Sequence, residues 1–168
     1  MTHDSKLKTN NQKMQTLDCL NQVAEFHTTF KHPILETPQI PSEARCQLRV
    51  SLIAEELKEL EEAIADNDIV AVADALADIQ YVLSGAVLEF GLGDKFRALF
   101  DEVQRSNMSK ACSSMEEAEA TLTHYEAKGT ECYVKPDNGK FLVYRTADNK
   151  TLKSIAYSPA DLERILQA

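Results

Sequence analysis

No two of the four cysteines in this chain stand in a CxxC pair, which argues against a structural zinc site. A disulfide framework is not expected at 168 residues, and the thiols read as reduced groups of a cytoplasmic protein. Positive charge is also short. Lys and Arg number 18 against 27 Asp and Glu, a net charge of -9. That balance argues against a nucleic-acid polymer as partner, because such binding rests on cations neutralising phosphates. A single nucleotide stays open, since bound cations can reverse a local field. The N-terminus has no apolar stretch of signal-peptide type. There is no internal repeat and no long low-complexity linker. The most apolar stretch, Ile69 to Phe90, is broken by aspartates, so no membrane span is expected.

What the chain has is 43% apolar and 27% charged residues over a length that suits one domain. Residues 1–13 are polar and read as a flexible N-terminus. From Met14 to Phe30, apolar residues recur at three- and four-residue steps, which predicts an amphipathic helix. A proline-rich connector follows from His32 to Pro41. Ser42 is placed to cap a second helix running to Asp66. After an Asp66-Asn67 turn, Asp68 caps a third helix that ends at Gly91. A fourth covers Asp94–Ser106, and Ser114 opens a fifth ending at Gly129. Thr130–Lys135 and Lys140–Arg145 read as strands joined by a Pro136–Gly139 turn. A second turn at Asp148-Asn149 leads to Thr151–Tyr157, and Pro159 is the expected first residue of a last short helix. The expected fold is mainly α, an antiparallel helical bundle with a small C-terminal β-hairpin appendage. The expected division is a helical domain over 14–110, with 111–168 packing on it.

The second helix carries two patterns. Cys46, Val50, Ile53, Leu57, Leu60 and Ile64 form one apolar seam. Leu48 and Leu52 lie on another face, which Glu55, Glu56 and Glu59 continue. A merely solvated face would not usually begin with two leucines. The third helix is apolar nearly all round, yet holds Asp74 and Asp78 four residues apart on one face. Buried carboxylates need cations or protons. A two-residue turn makes the helices antiparallel. Glu59 and Asp74 each lie 7.5 residues from the turn centre at 66.5, Glu56 lies 10.5 away and Asp78 11.5. At ~1.5 Å per residue these pairs sit at matching heights, about 11–17 Å up the hairpin. Like charges so placed call for a cation. Oxygen donors without paired histidines favour Mg²⁺ or Mn²⁺ over zinc. The competing reading is a solvated face or an ion-pair network, for which only Lys58, Arg45 and Arg49 are near in sequence.

These residues resemble a known family. Glu55-Glu56-Leu57-Lys58-Glu59 matches the EExxE motif of the all-α nucleoside triphosphate pyrophosphohydrolases, the MazG-like and phosphoribosyl-ATP pyrophosphohydrolase-like superfamily. Asp78 fits the Asp of that family's ExxD motif. The Glu position of the motif is Ala75 here, with Asp74 one residue earlier. The stretches Phe26–Pro41, Leu48–Gly91 and Glu102–Lys110 look like one branch of the superfamily, as does Lys150–Lys153 with Tyr157-Ser158-Pro159. Residues 111–146 look like an insertion. The resemblance implies Mg²⁺-dependent cleavage between the α and β phosphates of a nucleoside triphosphate or related nucleotide, giving a monophosphate and pyrophosphate. It suggests removal of unwanted nucleotides as a role.

On that basis Glu56, Glu59 and Asp78 are the expected metal ligands, with Asp74 as a fourth. Glu55 is either a ligand or the general base that orients water. Arg105, Asn107, Lys110 and Lys153 are the candidate donors for phosphate oxygens. Leu52, Phe26 and Phe30 are candidate walls of a base pocket, against the plainer reading that they are core. His27 and His32 are expected at the surface or the pocket rim. The all-round apolar third helix calls for partners, so a homodimer or homotetramer is expected. Two other classes stay open: a nucleotide- or metal-binding module without hydrolysis, and a scaffold whose acidic helices mediate assembly.

Overall fold

The computed structural model describes residues 16–168. The expectation for residues 1–13, and the predicted helix start at Met14, lie outside them. The described residues form α1 (Cys19–Phe30), α2 (Glu43–Ala65), α3 (Ile69–Glu89), α4 (Gly93–Met108), α5 (Met115–Glu126), β1 (Cys132–Asp137), β2 (Lys140–Arg145) and α6 (Leu162–Gln167). The expected mainly helical fold with one small hairpin is what forms. The chain divides into two compact units, one through Gly91 and one from Leu92. The sequence placed a boundary after residue 110, whereas by its contacts α4 belongs with the C-terminal elements and packs with α6.

In the first unit α2 and α3 pack as an antiparallel hairpin, and α1 lies against α3. The turn is as short as expected because each residue in it has a fixed task. Asp66 ends α2, Asn67 takes the left-handed conformation at φ 53°, and Asp68 caps α3. The Asp68 carboxylate accepts from the backbone N–H groups of Val70 and Ala71 at 2.9 and 3.1 Å. Ser42 stands at the N-cap of α2 but its side chain makes no capping hydrogen bond. The connector after α1 runs back over the end of α3, where Leu35 N–H donates to the Leu88 carbonyl and Gln39 N–H to that of Phe90. Gly91 makes this crossing possible. It sits at φ +68°, and a Cβ there would lie 1.9 Å from the Thr37 carbonyl oxygen.

The packed stripe of α2 differs from the predicted seam. Arg49 and Ala63 are its buried residues, and half-buried Ile53, Glu56 and Leu60 fall between them at four- and three-residue steps. Val50, Leu57 and Ile64 are exposed instead. On α3 the residues Ile69, Leu76 and Leu83 are exposed in the same seven-residue rhythm. The predicted all-round burial of α3 is therefore not reached within one chain.

In the second unit β1 and β2 pair antiparallel with Asp137 opposite Lys140. That leaves Asn138 and Gly139 as a two-residue loop, both at positive φ (46° and 75°), the conformation Asn-Gly favours in tight hairpins. Pro136 lies inside the ladder opposite Phe141 rather than in the turn. Thr151 makes only an isolated bridge to Tyr144. Cys112, Ala118, Val143 and Leu152 form the core here, with Leu122, Tyr125 and Phe141 around them. The last helix starts at Leu162 with Asp161 as its cap, so Pro159 precedes it rather than opening it.

Candidate functional site

The acidic residues of the first unit fall on the two helices as the turn arithmetic requires. Glu55, Glu56 and Glu59 are on α2, and Asp74 and Asp78 on α3. Glu56 alone is half-buried, because it occupies the packed stripe of α2, while the other four are exposed. Burial pushes its carboxyl above the usual carboxylate range, and the charges of Glu59, Asp78, Glu55 and Asp74 push it further the same way. Every carboxylate chosen from the sequence thus acts on this one group. None of the five accepts a hydrogen bond or ion pair among the described residues. Lys58 reaches Glu62 instead, and Arg45 and Arg49 are committed to Glu89. The ion-pair network that could have explained the acids is therefore absent among the described residues.

The acids do not form a closed cage. Among the described residues no three of His, Cys, Asp or Glu converge closely enough to hold a metal ion. The donor set nonetheless suits a hard dication. It is all carboxylate oxygen, it lacks compensating cations among the described residues, and Glu56 is raised by its burial and by four like charges. Ala75, at the place of the family's Glu, is 2% exposed and packs in the core.

One turn along from Glu55 and Glu56 on α2, and from Asp78 on α3, an apolar cleft of about 390 Å³ opens. Phe26 and Leu52 line it. Tyr81, Val82 and Gly85 of α3 line it too. Phe30 is not among its walls but packs on Phe26 at 4.5 Å between ring centres. His27 departs from its expected surface position, being 2% exposed. Its Nδ1 lies 2.9 Å from the Pro33 carbonyl, which can only accept, so Nδ1 carries the proton. Burial lowers its pKa, holding the ring neutral.

Behind this cleft lies a buried group that the sequence reading missed. Glu89 is 0% exposed and receives both Arg45 and Arg49. Arg45 Nε donates to one carboxylate oxygen at 2.9 Å, and the second guanidinium nitrogens of both arginines close on the other. Burial alone would raise the Glu89 carboxyl, but the two arginines outweigh it and hold it below the ordinary range. The available signals were two arginines four apart on α2 and a lone glutamate at the apolar end of α3.

Arg105, Asn107, Lys110 and Lys153 belong to the second unit. Arg105 grips Glu102 through two 2.8 Å bonds, donates to the Pro159 carbonyl at 2.9 Å and helps hold Glu102 at about 2. Lys110 donates to Asn107 at 2.7 Å, the self-capping helix end that competes with a phosphate role. Lys153 lies 4.1 Å over the Tyr157 ring. Tyr157, which the sequence reading did not select, gathers this cluster. Ser106 donates to its hydroxyl at 3.0 Å and lowers its pKa, and Lys153 and Lys110 add to the effect.

The family model described as phosphoribosyl-ATP pyrophosphohydrolase matches residues 23–107. That span contains all five acids, the cleft, and Arg105 and Asn107. A protein of Acanthamoeba polyphaga mimivirus, described only as uncharacterized protein L479, is 23% identical and is similar over 86% of this chain and 94% of its own length.

Proposed function

This chain belongs to the phosphoribosyl-ATP pyrophosphohydrolase family, within the all-α nucleoside triphosphate pyrophosphohydrolases, and we propose that it hydrolyses a nucleoside triphosphate between the α and β phosphates. The family's chemistry is nucleotide pyrophosphohydrolysis. The observation that carries the finer reading is Glu56, pushed up by burial and further by four neighbouring carboxylates, with no cation beside it among the described residues. Glu56, Glu59 and Asp78 would hold Mg²⁺ or Mn²⁺, with Asp74 as a fourth ligand. Such an ion supplies polarisation of phosphate oxygens and a lowered pKa for attacking water. Glu55, exposed beside Glu56, can orient that water and take its proton. Arg105, Asn107, Lys110 and Lys153 are the proposed phosphate donors. Because the family match extends through α4, residues 14–110 are read as the catalytic domain.

A homodimer or homotetramer fits the apolar faces left open on the hairpin. Val50, Leu57 and Ile64 on α2, and Ile69, Leu76 and Leu83 on α3, are 40–76% exposed and recur every seventh residue. The four free thiols suit a cytoplasmic setting. The α3 helix is long and apolar enough to cross a membrane by composition, but Asp74 and Asp78 interrupt it mid-length and favour a water-facing role.

The test is a panel of ribo- and deoxyribonucleoside triphosphates with phosphoribosyl-ATP, in Mg²⁺, scored for pyrophosphate against orthophosphate. Pyrophosphate release that Glu56→Gln abolishes is expected. A second reading, a binding module of the same fold without hydrolysis, is favoured by one observation, the buried Ala75 in place of a family carboxylate. Nucleotide binding by calorimetry with no product from any substrate would select it.

A further inference from the structure

After Thr151 the chain forms no helix or strand until Leu162, yet every backbone N–H from Leu152 to Ser158 has an acceptor. A strap without a ladder of its own must find such partners elsewhere. Helix α5 supplies several of them. The Tyr125 hydroxyl accepts from Lys153 N–H and donates to the Lys153 carbonyl, both at 3.2 Å. Thr121, 0% exposed, accepts from Ile155 N–H at 3.2 Å. Glu117 accepts from the Ser154 hydroxyl. These three residues are four apart in sequence and form one stripe along α5. The stripe is polar, whereas the neighbouring Ala118 and Leu122 pack into the apolar core. Apolar side chains could cover the strap too, but a satisfied polar stripe also fixes which peptide sits where.

The strap carries Lys153 and Tyr157. Lys153 Nζ lies 4.1 Å over the Tyr157 ring, and the Ser106 hydroxyl donates to the phenol oxygen at 3.0 Å. The Ser106 hydrogen bond, and then the charges of Lys153 and Lys110, lower the pKa of the phenol against its desolvation. Two ammonium groups thus act on one phenol, and neither has a carboxylate partner among the described residues. In a chain of net charge -9 this is a cationic cluster without its own anion. A lysine ammonium is a point charge on a flexible stem, so holding its backbone and its ring contact is what fixes its place. Phosphate oxygens suit such donors.

We infer that Glu117, Thr121 and Tyr125 are positioning residues, which through the strap hold Lys153 against Tyr157, near Lys110, for the oxygens of a polyphosphate group. Residues 111–146 are then part of the phosphate-binding apparatus, not a passive insertion. The inference rests on the reading of Lys110 and Lys153 as phosphate donors.

The experiment measures Kd for inorganic pyrophosphate on the full chain by calorimetry in Mg²⁺. Tyr125→Phe keeps the ring and removes only the hydroxyl. It should weaken binding about tenfold, as Lys153→Met should, the scale of one charge-assisted hydrogen bond. The double variant should bind no more weakly than Lys153→Met alone, because Tyr125 acts through Lys153. The Tyr157 phenol gives an independent readout by NMR titration of its Cζ resonance. Tyr125→Phe should return its pKa towards the ordinary value of 10. Leu122→Ala, which thins the neighbouring core, should lower Tm without either change. If Tyr125→Phe does not fold, Thr121→Val replaces it. No pyrophosphate binding by the unaltered chain, an unchanged affinity in the folded α5 variant, additive losses in the double variant, an unmoved Tyr157 pKa, or equal effects from Leu122→Ala would each overturn the inference. Triphosphate turnover with an unchanged kcat/KM in Lys153→Met would overturn it while keeping the hydrolytic function. Coupled pyrophosphate binding without turnover of any triphosphate would support it while removing that function.

Discussion

Glu56 and Glu89 sit on the same helical hairpin and are treated in opposite ways. Glu89 is wholly buried and meets two arginines, which hold its carboxyl below the ordinary range. Glu56 is half-buried and meets four carboxylates, so its carboxyl is held above that range. One end of the hairpin spends its charges on holding helices together. The other assembles like charges that raise the energy of the chain unless a cation arrives. A repulsive cluster kept on a well-packed hairpin is what a binding site needs, because the ligand supplies the missing partner.

The largest effect should come from breaking the satisfied end. Glu89→Ala leaves two guanidinium groups facing each other, one of them in the interior, and should cost about 3–5 kcal/mol in urea denaturation. A loss below ~1 kcal/mol would show that the pair is a passive contact. At the repulsive end the sign should reverse. Glu56→Gln should lower kcat/KM by about 10²–10³-fold, if a ligand is lost, while leaving the metal-free chain as stable as before or more so. Equal destabilisation by both substitutions would erase the contrast.

Divalent cation should act on one end only. With Mg²⁺ or Mn²⁺ at 100 times its Kd, stability should rise by about 2.7 kcal/mol by mass action. Glu56→Gln and Asp78→Asn should remove that rise, whereas Arg105→Ala should keep it. Asp74→Asn measures the cost of Ala75. If Asp74 is a full ligand, its loss should match that of Asp78→Asn in metal-induced stabilisation. A drop of about tenfold in metal affinity, at the low end for a supporting group, would mark it as an outer-shell residue.

Much of this arrangement was legible before any coordinates. The helical hairpin follows from the apolar periodicity and the Asp66–Asp68 turn, because local turn chemistry sets the antiparallel register. The same register brings Glu56 under the influence of Asp78 and Asp74 on the facing helix. The seam was misplaced for a physical reason. Apolar spacing marks every face that wants cover, and Val50, Leu57 and Ile64 are open to water within one chain. The face that α3 covers carries Arg49 and Glu56, which composition does not mark as interior. Glu89 was overlooked because its partners lie 40 and 44 residues away, at a separation no local pattern spans.

The smallest effect, and the cleanest test of sign, is the pH dependence of the metal-free protein. Glu56 has a folded-state pKa raised above its ordinary value of 4.5, so folding binds its proton more tightly. Its contribution is fully present below about pH 4.5 and is lost as pH rises through the raised value. Glu89 has a lowered pKa, so its contribution is present above 4.5 and is lost as pH falls through the folded value. Urea titrations of the unaltered chain and Glu56→Gln should therefore converge at acid pH and separate towards neutrality, with Glu56→Gln the more stable. For Glu89→Gln the gap should run the other way, wide at neutral pH and narrowing in acid. Saturating Mg²⁺ should close or reverse the first gap, because a cation favours the ionised carboxylate against both the burial and the repulsion that raise its pKa, and leave the second untouched.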